Sequence, residues 1–299
     1  MNEMVQQQLK AFQHQYRNRA VLLIKCPDQP GIVSAVSAFL FSHGANIVES
    51  NQYSSDPDGG TFFLRMEFEL RQLSNRLFSL KEDFSRIAER FGMDFSFRRI
   101  SHLKRMAIFV SKEAHCLLEL LWEYQSGDLL ADIAMVISNH PDAKDLVEPL
   151  GIPFYYLPAN KEIRSQVEQQ QLDLLREHQI EVIVLARYMQ VLTPKFVEQY
   201  PNSIINIHHS FLPAFVGARP YERAYERGVK LIGATSHYVT NDLDEGPIIE
   251  QDIERVDHRN HVDSLKKIGR SIERRVLAKA VKWHLEDRVI VVKNKTIVF

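Results

Sequence analysis

Cysteine is nearly absent: Cys26 and Cys116 are the only two in 299 residues, and neither has a CxxC partner. A disulfide framework is excluded and a thiolate metal site disfavoured, the pattern of a chain kept in a reducing compartment. A surplus of one charge is also missing. The formal net charge is −1, which leaves no overall field to attract nucleic acid or an anionic membrane. No apolar run approaches the roughly 20 residues of a bilayer span. The opening MNEMVQQQLKAFQHQYRNRA lacks the apolar core of a signal peptide. These absences predict a cytoplasmic protein without nucleic-acid or membrane partners. What remains is a globular balance, 45% hydrophobic and 25% charged, at a length suited to two domains.

Residues 1–19 carry no strong pattern and read as a tail or short helix. Val21–Lys25 is a β-type run stopped by Cys26-Pro27-Asp28-Gln29-Pro30-Gly31. Ile32, Val36, Phe39, Leu40 and His43 then recur at helical spacing, and His43-Gly44-Ala45-Asn46 reads as a helix end with glycine in the left-handed position. Two strand runs, 47–54 and 61–70, flank the turn cluster Asp56-Pro57-Asp58-Gly59-Gly60. Leu77, Leu80, Phe84, Ile87, Ala88 and Phe91 mark a second helix, and 93–100 alternates like a strand. The order βαββαβ is ferredoxin-like. A domain over 20–101 is expected, followed by a second over 102–299.

Past the linker, short apolar strands alternate with helices. Strands are predicted at Met106–Val110, Ile133–Ser138, Phe154–Leu157 and Glu181–Leu185, with helices at Leu117–Tyr124, Lys144–Leu150 and up to His178. This alternation predicts a doubly wound, mostly parallel α/β sheet whose ligands sit beyond the carboxyl ends of the strands. A further amphipathic helix is expected at 261–286, and a hairpin from Val289–Val292 and Thr296–Phe299.

The densest polar cluster is Asn206-Ile207-His208-His209-Ser210, placed after the strand end at Ser203-Ile204-Ile205. Asn206 and His208 are two apart, so an extended backbone points both to one side. About thirty residues on, Asp244 sits in a loop braced by Gly246 and Pro247. An amide donor, an imidazole and a carboxylate suit acyl transfer: the first polarises a carbonyl, the second carries charge, the third holds the imidazole and manages a proton. A histidine at a strand end is commonly just a structural hydrogen bonder, so spacing leaves both readings open. His208 and His209, as strand neighbours, should face opposite ways and make a poor metal pair. With no HExxH and no cysteine ligands, no metal is expected.

Four motifs settle more. Val136-Ile137-Ser138-Asn139, Val184-Leu185-Ala186-Arg187-Tyr188-Met189, the NIHHSFLPAF run at 206–215 and LDEGPII at 243–249 make the stretch from Met106 to about Asp257 resemble the folate-dependent formyltransferases. The resemblance implies 10-formyltetrahydrofolate as substrate, with no permanently bound cofactor. It puts Asn206, His208 and Asp244 in the catalytic positions. It also implies that the loops carrying Met189, Gln190, Val191, Leu192 and His237, Val239, Thr240, Asn241, Gly246 grip the pterin, largely by backbone groups. Arg164 is a cationic candidate for the glutamate tail.

Residues 20–100 resemble an ACT domain, a module that pairs across subunits and binds amino acids. The implied effector is glycine or methionine, held by Asp28, Gln29, Gly31, Ile32 and Asn46 in a homo-oligomer, dimer or tetramer. The chain departs from the family twice. His209 stands where the transferases usually have proline, either placing a water or only packing. Ser111-Lys112-Glu113-Ala114-His115-Cys116 has no glycine, so it lacks the backbone cradle that seats a phosphorylated acceptor in the purine-synthesis enzyme. With that seat gone, water becomes the expected acceptor. The products would be tetrahydrofolate and formate, balancing the one-carbon folate pool and supplying formate for purine synthesis. Two rivals remain: a transferase with another acceptor, and an amino-acid sensor with an inactive catalytic domain.

Overall fold

A computed structural model describes residues 3–56, 58–160, 162–213 and 219–299. Pro57 of the turn cluster, the first two residues of the tail and the Ala214-Phe215 end of the NIHHSFLPAF run lie outside the described residues. The chain forms two compact units, one of residues 7–103 with 286–288 and 299, the other of 1–6, 104–285 and 289–298.

The chain opens on a helix, α1 (Glu3–Gln15), where the sequence left tail and helix open. In the first unit β1 (Arg19–Pro27), α2 (Ile32–Ser42), β2 (Asn46–Ser54), β3 (Thr61–Glu69), α3 (Leu73–Phe91) and β4 (Asp94–Arg99) give the order βαββαβ. The sheet order is β2-β3-β1-β4, antiparallel throughout. Strand periodicity explains the core. Ala20, Leu22, Ile24 and Cys26 of β1 and Phe62, Leu64, Met66 and Phe68 of β3 all turn to one face, where they meet Val36 and Leu40 of α2 and Leu80 and Phe84 of α3. Gly44 takes the left-handed position (φ 72°) expected of it at the end of α2.

The second unit continues with β5 (Arg105–Val110), α4 (His115–Ser126), β6 (Asp132–Ser138), the short α5 (Lys144–Val147), β7 (Phe154–Tyr156), α6 (Arg164–Glu177), β8 (Val182–Leu185), α7 (Pro194–Val197) and β9 (Ile204–His208). It then adds α8 (Pro220–Arg227), β10 (Leu231–Tyr238), β11 (Ile248–Arg255), α9 (Val262–Leu285) and the hairpin β12 (Val289–Val292) and β13 (Lys295–Val298). The seven-stranded sheet runs β11-β10-β9-β8-β5-β6-β7. Strands β7, β6, β5, β8 and β9 are parallel, and β10 and β11 add an antiparallel edge. Every residue of β8 is buried, as in a parallel sheet covered on both faces. Leu172, Leu175 and Phe196 pack with Phe109, Ile137 and Leu185. On α9, Leu265, Gly269, Ile272, Glu273, Val276 and Ala280 form one buried stripe at helical spacing, and one of them is a carboxylate. The sheet order reverses between β5 and β8, so their carboxyl ends open the crevice where α/β proteins bind ligands.

Candidate active site

Beyond the carboxyl ends of β8 and β9 lies a cleft of about 420 Å³, walled by residues 187–192 and 239–244 and floored by Asn206–His209. Asn206 and His208 lie on β9 itself, not on a loop after it, because ladder bonds to β10 continue to His208 opposite Thr235. Their shared face follows from the two-residue period, with the buried Ile205 and Ile207 turned the other way.

Asp244 reaches them from the loop between β10 and β11. Tyr238 N–H donates to the Pro247 carbonyl at 2.9 Å and closes the loop base. A Cβ on Gly246 would fall 1.8 Å from the Tyr238 carbonyl oxygen, so only glycine permits this closure. Gly246 thus shapes the loop and does not line the cleft, contrary to its predicted binding role. Asp244 adopts φ 58°, a left-handed conformation that folds its carboxylate back over β9. There Oδ2 accepts from Nδ1 of His208 at 3.2 Å, and Oδ1 lies 3.7 Å from Nε2 of His237. The His208 hydrogen bond, the largest influence, holds the Asp244 carboxyl far below the usual carboxylate range. With Nδ1 engaged, the remaining nitrogen of His208, Nε2, is buried without a hydrogen-bond partner among the described residues.

His237 fixes the amide. Its Nδ1–H donates to the Tyr238 carbonyl at 2.9 Å, which leaves Nε2 to accept from the Asn206 side-chain NH₂ at 3.3 Å. One amide hydrogen is thereby committed and the other stays available for a carbonyl oxygen.

The predicted pterin-binding residues Met189–Leu192, His237, Val239, Thr240 and Asn241 do line the cleft. The first loop is pinned from α6: Glu168 accepts from the Thr193 amide at 3.0 Å, and Gln171 donates to the Tyr188 hydroxyl at 3.0 Å. Met189 and Val191 remain exposed on the rim and offer apolar faces to a flat ring. Arg164 donates to the Val191 carbonyl at this rim and also meets Glu168.

Two expectations need correction. The rings of His208 and His209 do not point apart; their centroids are 5.0 Å apart because β9 ends at His208 and the alternation stops there. In the first unit, Asp28 accepts from the Ser54 hydroxyl at one end of β2, whereas Asn46 begins that strand. Eight residues at about 3.3 Å each separate them, so one chain does not bring Asn46 to Asp28–Gly31. Gln29 donates to the Phe91 carbonyl at 3.4 Å, Gly31 precedes α2 with φ 96°, and Ile32 is sealed in the core.

Sequence reasoning missed Arg187 and a buried carboxylate, Glu273. The oxygens of Glu273 accept from Tyr221 (2.8 Å) and from Nε2 of His115 (2.7 Å), and Nε of Arg187 lies 3.5 Å away. Burial alone would raise the Glu273 carboxyl; the His115 hydrogen bond and the Arg187 charge outweigh it and lower it. His115, Cys116 and Glu273 present donor atoms within 4.8 Å of one another. Both carboxylate oxygens are already engaged, and burial pushes the Cys116 thiol well up, so the trio reads as a hydrogen-bonded network. His115 and Cys116 belong to the glycine-free segment, so the place of the expected cradle holds this network instead.

Burial, then the charges of Arg187 and His208, lower His209 to about 4 from 6.5. The unfolded chain therefore binds the proton more readily, and stability is lost as pH falls from 6.5 toward 4. At ~1.4 kcal/mol per pH unit, the protein should lose about 2 kcal/mol more than His209→Gln between pH 7 and pH 5. Urea denaturation at the two pH values reads this difference; equal losses would mean that the fold does not hold His209 neutral.

Residues 104–281 match the formyl transferase family, and residues 20–75 match the ACT domain. Fold and site together thus define a formyl transferase-type catalytic domain behind an ACT module. The chain is 66% identical to the formyltetrahydrofolate deformylase of Bacillus subtilis over 100% of both chains. The crystal structure of a formyltetrahydrofolate deformylase from Pseudomonas syringae pv. tomato superposes with TM-score 0.90 at 46% identity, covering 96% of this chain and 98% of that one. Glycinamide ribonucleotide transformylase 1 from Symbiobacterium toebii aligns at TM-score 0.62 and 27% identity, over 66% of this chain and 95% of its own. The chain belongs to the formyltetrahydrofolate deformylase family.

Proposed function

We propose that the protein hydrolyses 10-formyltetrahydrofolate to tetrahydrofolate and formate. The observation that carries this reading is the His208–Asp244 pair, with Nε2 of His208 unengaged beside the oriented amide of Asn206 in a cleft with apolar walls. The pterin lies in the slot between the 189–192 and 239–244 segments, held largely by their backbone groups. Asn206 donates its uncommitted amide hydrogen to the formyl oxygen. Water adds to the formyl carbon while the carbonyl π pair moves to oxygen, and the amide and His208 stabilise the resulting oxyanion. Asp244 orients the water and helps pass a proton to N10, which leaves with the electron pair of the broken C–N bond. The second water proton is released with formate.

Water as acceptor has support in the segment after β5. The segment 111–116 carries His115 to Glu273 and Tyr221, so buried side chains occupy the end of β5 where a phosphorylated acceptor would need free backbone amides. Released formate and tetrahydrofolate serve purine synthesis and the balance of the folate pool. The ACT module makes an amino acid, glycine or methionine, the effector, bound in a cytoplasmic homo-oligomer.

One assay tests the proposal: formate released from 10-formyltetrahydrofolate by the full chain, with and without glycinamide ribonucleotide, glycine or methionine. We expect formate in equimolar yield with tetrahydrofolate, unchanged by the ribonucleotide and altered in rate by one amino acid. Formyl transfer to the ribonucleotide would replace hydrolysis with transfer. Absence of turnover would leave an amino-acid-binding protein without this activity.

A further inference from the structure

Two cations line the cleft, Arg187 and Arg219, and neither has a part in the hydrolytic scheme. Arg187 follows β8 with φ 64°, in the left-handed region that a long side chain seldom occupies. The turn is held by its N–H donating to the Leu185 carbonyl at 3.1 Å and its carbonyl accepting from Ser111 N–H at 3.3 Å. Arg187 thereby lines the same cleft as His208, His209 and Asp244.

The guanidinium is charge-balanced but not saturated. Its Nε lies 3.5 Å from Glu273 yet is buried without a hydrogen-bond partner, because that carboxylate accepts from His115 and Tyr221 instead. Among the described residues no hydrogen bond forms from the Arg187 guanidinium. Its positive field is felt inside the cleft, where it disfavours a proton on His209. A planar fork with free donors matches a two-oxygen anion better than any other common group.

The hydrolysis proposed above generates one such anion. Formate is born beside Asp244, itself ionised, so the two negative charges repel unless a cation faces them. We infer that Arg187 is the formate-binding residue, holding the one-carbon carboxylate on the acceptor side through paired N–H···O bonds. Glu273 is its positioning partner. The inference rests on the hydrolytic reading.

Product inhibition by sodium formate, measured on the full-length protein at constant ionic strength with acetate and chloride as controls, tests it. Arg187→Gly removes the side chain and suits the left-handed backbone; Arg187→Lys keeps the charge without the fork. Removing a charged hydrogen-bonding partner corresponds to roughly tenfold or more in affinity. The formate inhibition constant should weaken by about that factor in Arg187→Gly and less in Arg187→Lys. KM for 10-formyltetrahydrofolate, set by the pterin slot, should move far less. If Arg187→Gly does not fold, by circular dichroism, Arg187→Lys carries the comparison alone. An unchanged inhibition constant in the folded variant, or no inhibition of the wild type by formate beyond the controls, overturns the assignment. Failure of the wild type to release formate at all would instead overturn the hydrolytic reading, and the same assay detects it.

Discussion

Asp244→Asn and His208→Ala should each lower kcat for formate release by about 10²–10⁴, the usual contribution of positioned acid–base groups, while circular dichroism stays that of the wild type. The two losses should not add. His208 Nδ1 donates to Asp244 Oδ2, so either change dissolves the same unit, and the double variant should sit near the worse single one. Asn206→Leu removes the proposed oxyanion donor and should cost about 10²–10³. Near-wild-type turnover from His208→Ala or Asp244→Asn, measured by formate release under saturating substrate, would remove the pair from the mechanism.

Glu273→Ala should be the most damaging change for stability. Its side chain is 2% exposed and neutralises Arg187 while accepting from Tyr221 and His115. Breaking a buried charge pair by deleting one partner costs about 3–5 kcal/mol, because the survivor stays buried and uncompensated. Adding Arg187→Gly should recover part of that loss, since no orphaned cation then remains. Urea midpoints of the two single variants and the double variant give the coupling. A Glu273→Ala loss below about 1 kcal/mol, the scale of a surface pair, would show that the network adds little to stability.

The parts of the fold that repeat were legible in the sequence. Leu22, Ile24, Met66 and Phe68 alternate, and Val36, Leu40, Leu80 and Phe84 recur at helical spacing, so β1, β3, α2 and α3 follow from periodicity alone. Strand β10 did not stand out because Thr235, Ser236 and His237 interrupt it, although all three are buried. Their polar groups are satisfied within the structure: Thr235 donates to the Ser210 carbonyl, Ser236 to the Asn206 carbonyl and His237 to the Tyr238 carbonyl. The first two pairings join residues far apart in the chain, and a hydropathy pattern does not record them.

The same holds for the site. Asn206 and His208 were readable as a two-residue spacing, and Asp244 as a carboxylate near Gly246. Glu273 was not, because it is a single charged residue on the apolar stripe of α9, and its partners His115, Arg187 and Tyr221 come from other elements. The left-handed backbone of Arg187 and of Asp244 leaves no mark in residue type, since neither is the glycine that would announce it. The proximity of His208 and His209 likewise depends on where β9 stops, which alternation does not fix.

The hydrogen bond from the Asn206 amide to His237 has a consequence for how this site can change over time. Because the His237 ring is itself anchored on a main-chain carbonyl, it presents a bare nitrogen to position 206 and welcomes only a donor there. An aspartate at 206 would set an acceptor against an acceptor, and a change at 237 would release the amide to turn its oxygen toward the substrate. Residues 206 and 237 therefore act as one unit, and a substitution at either one alone breaks the donor–acceptor match between them.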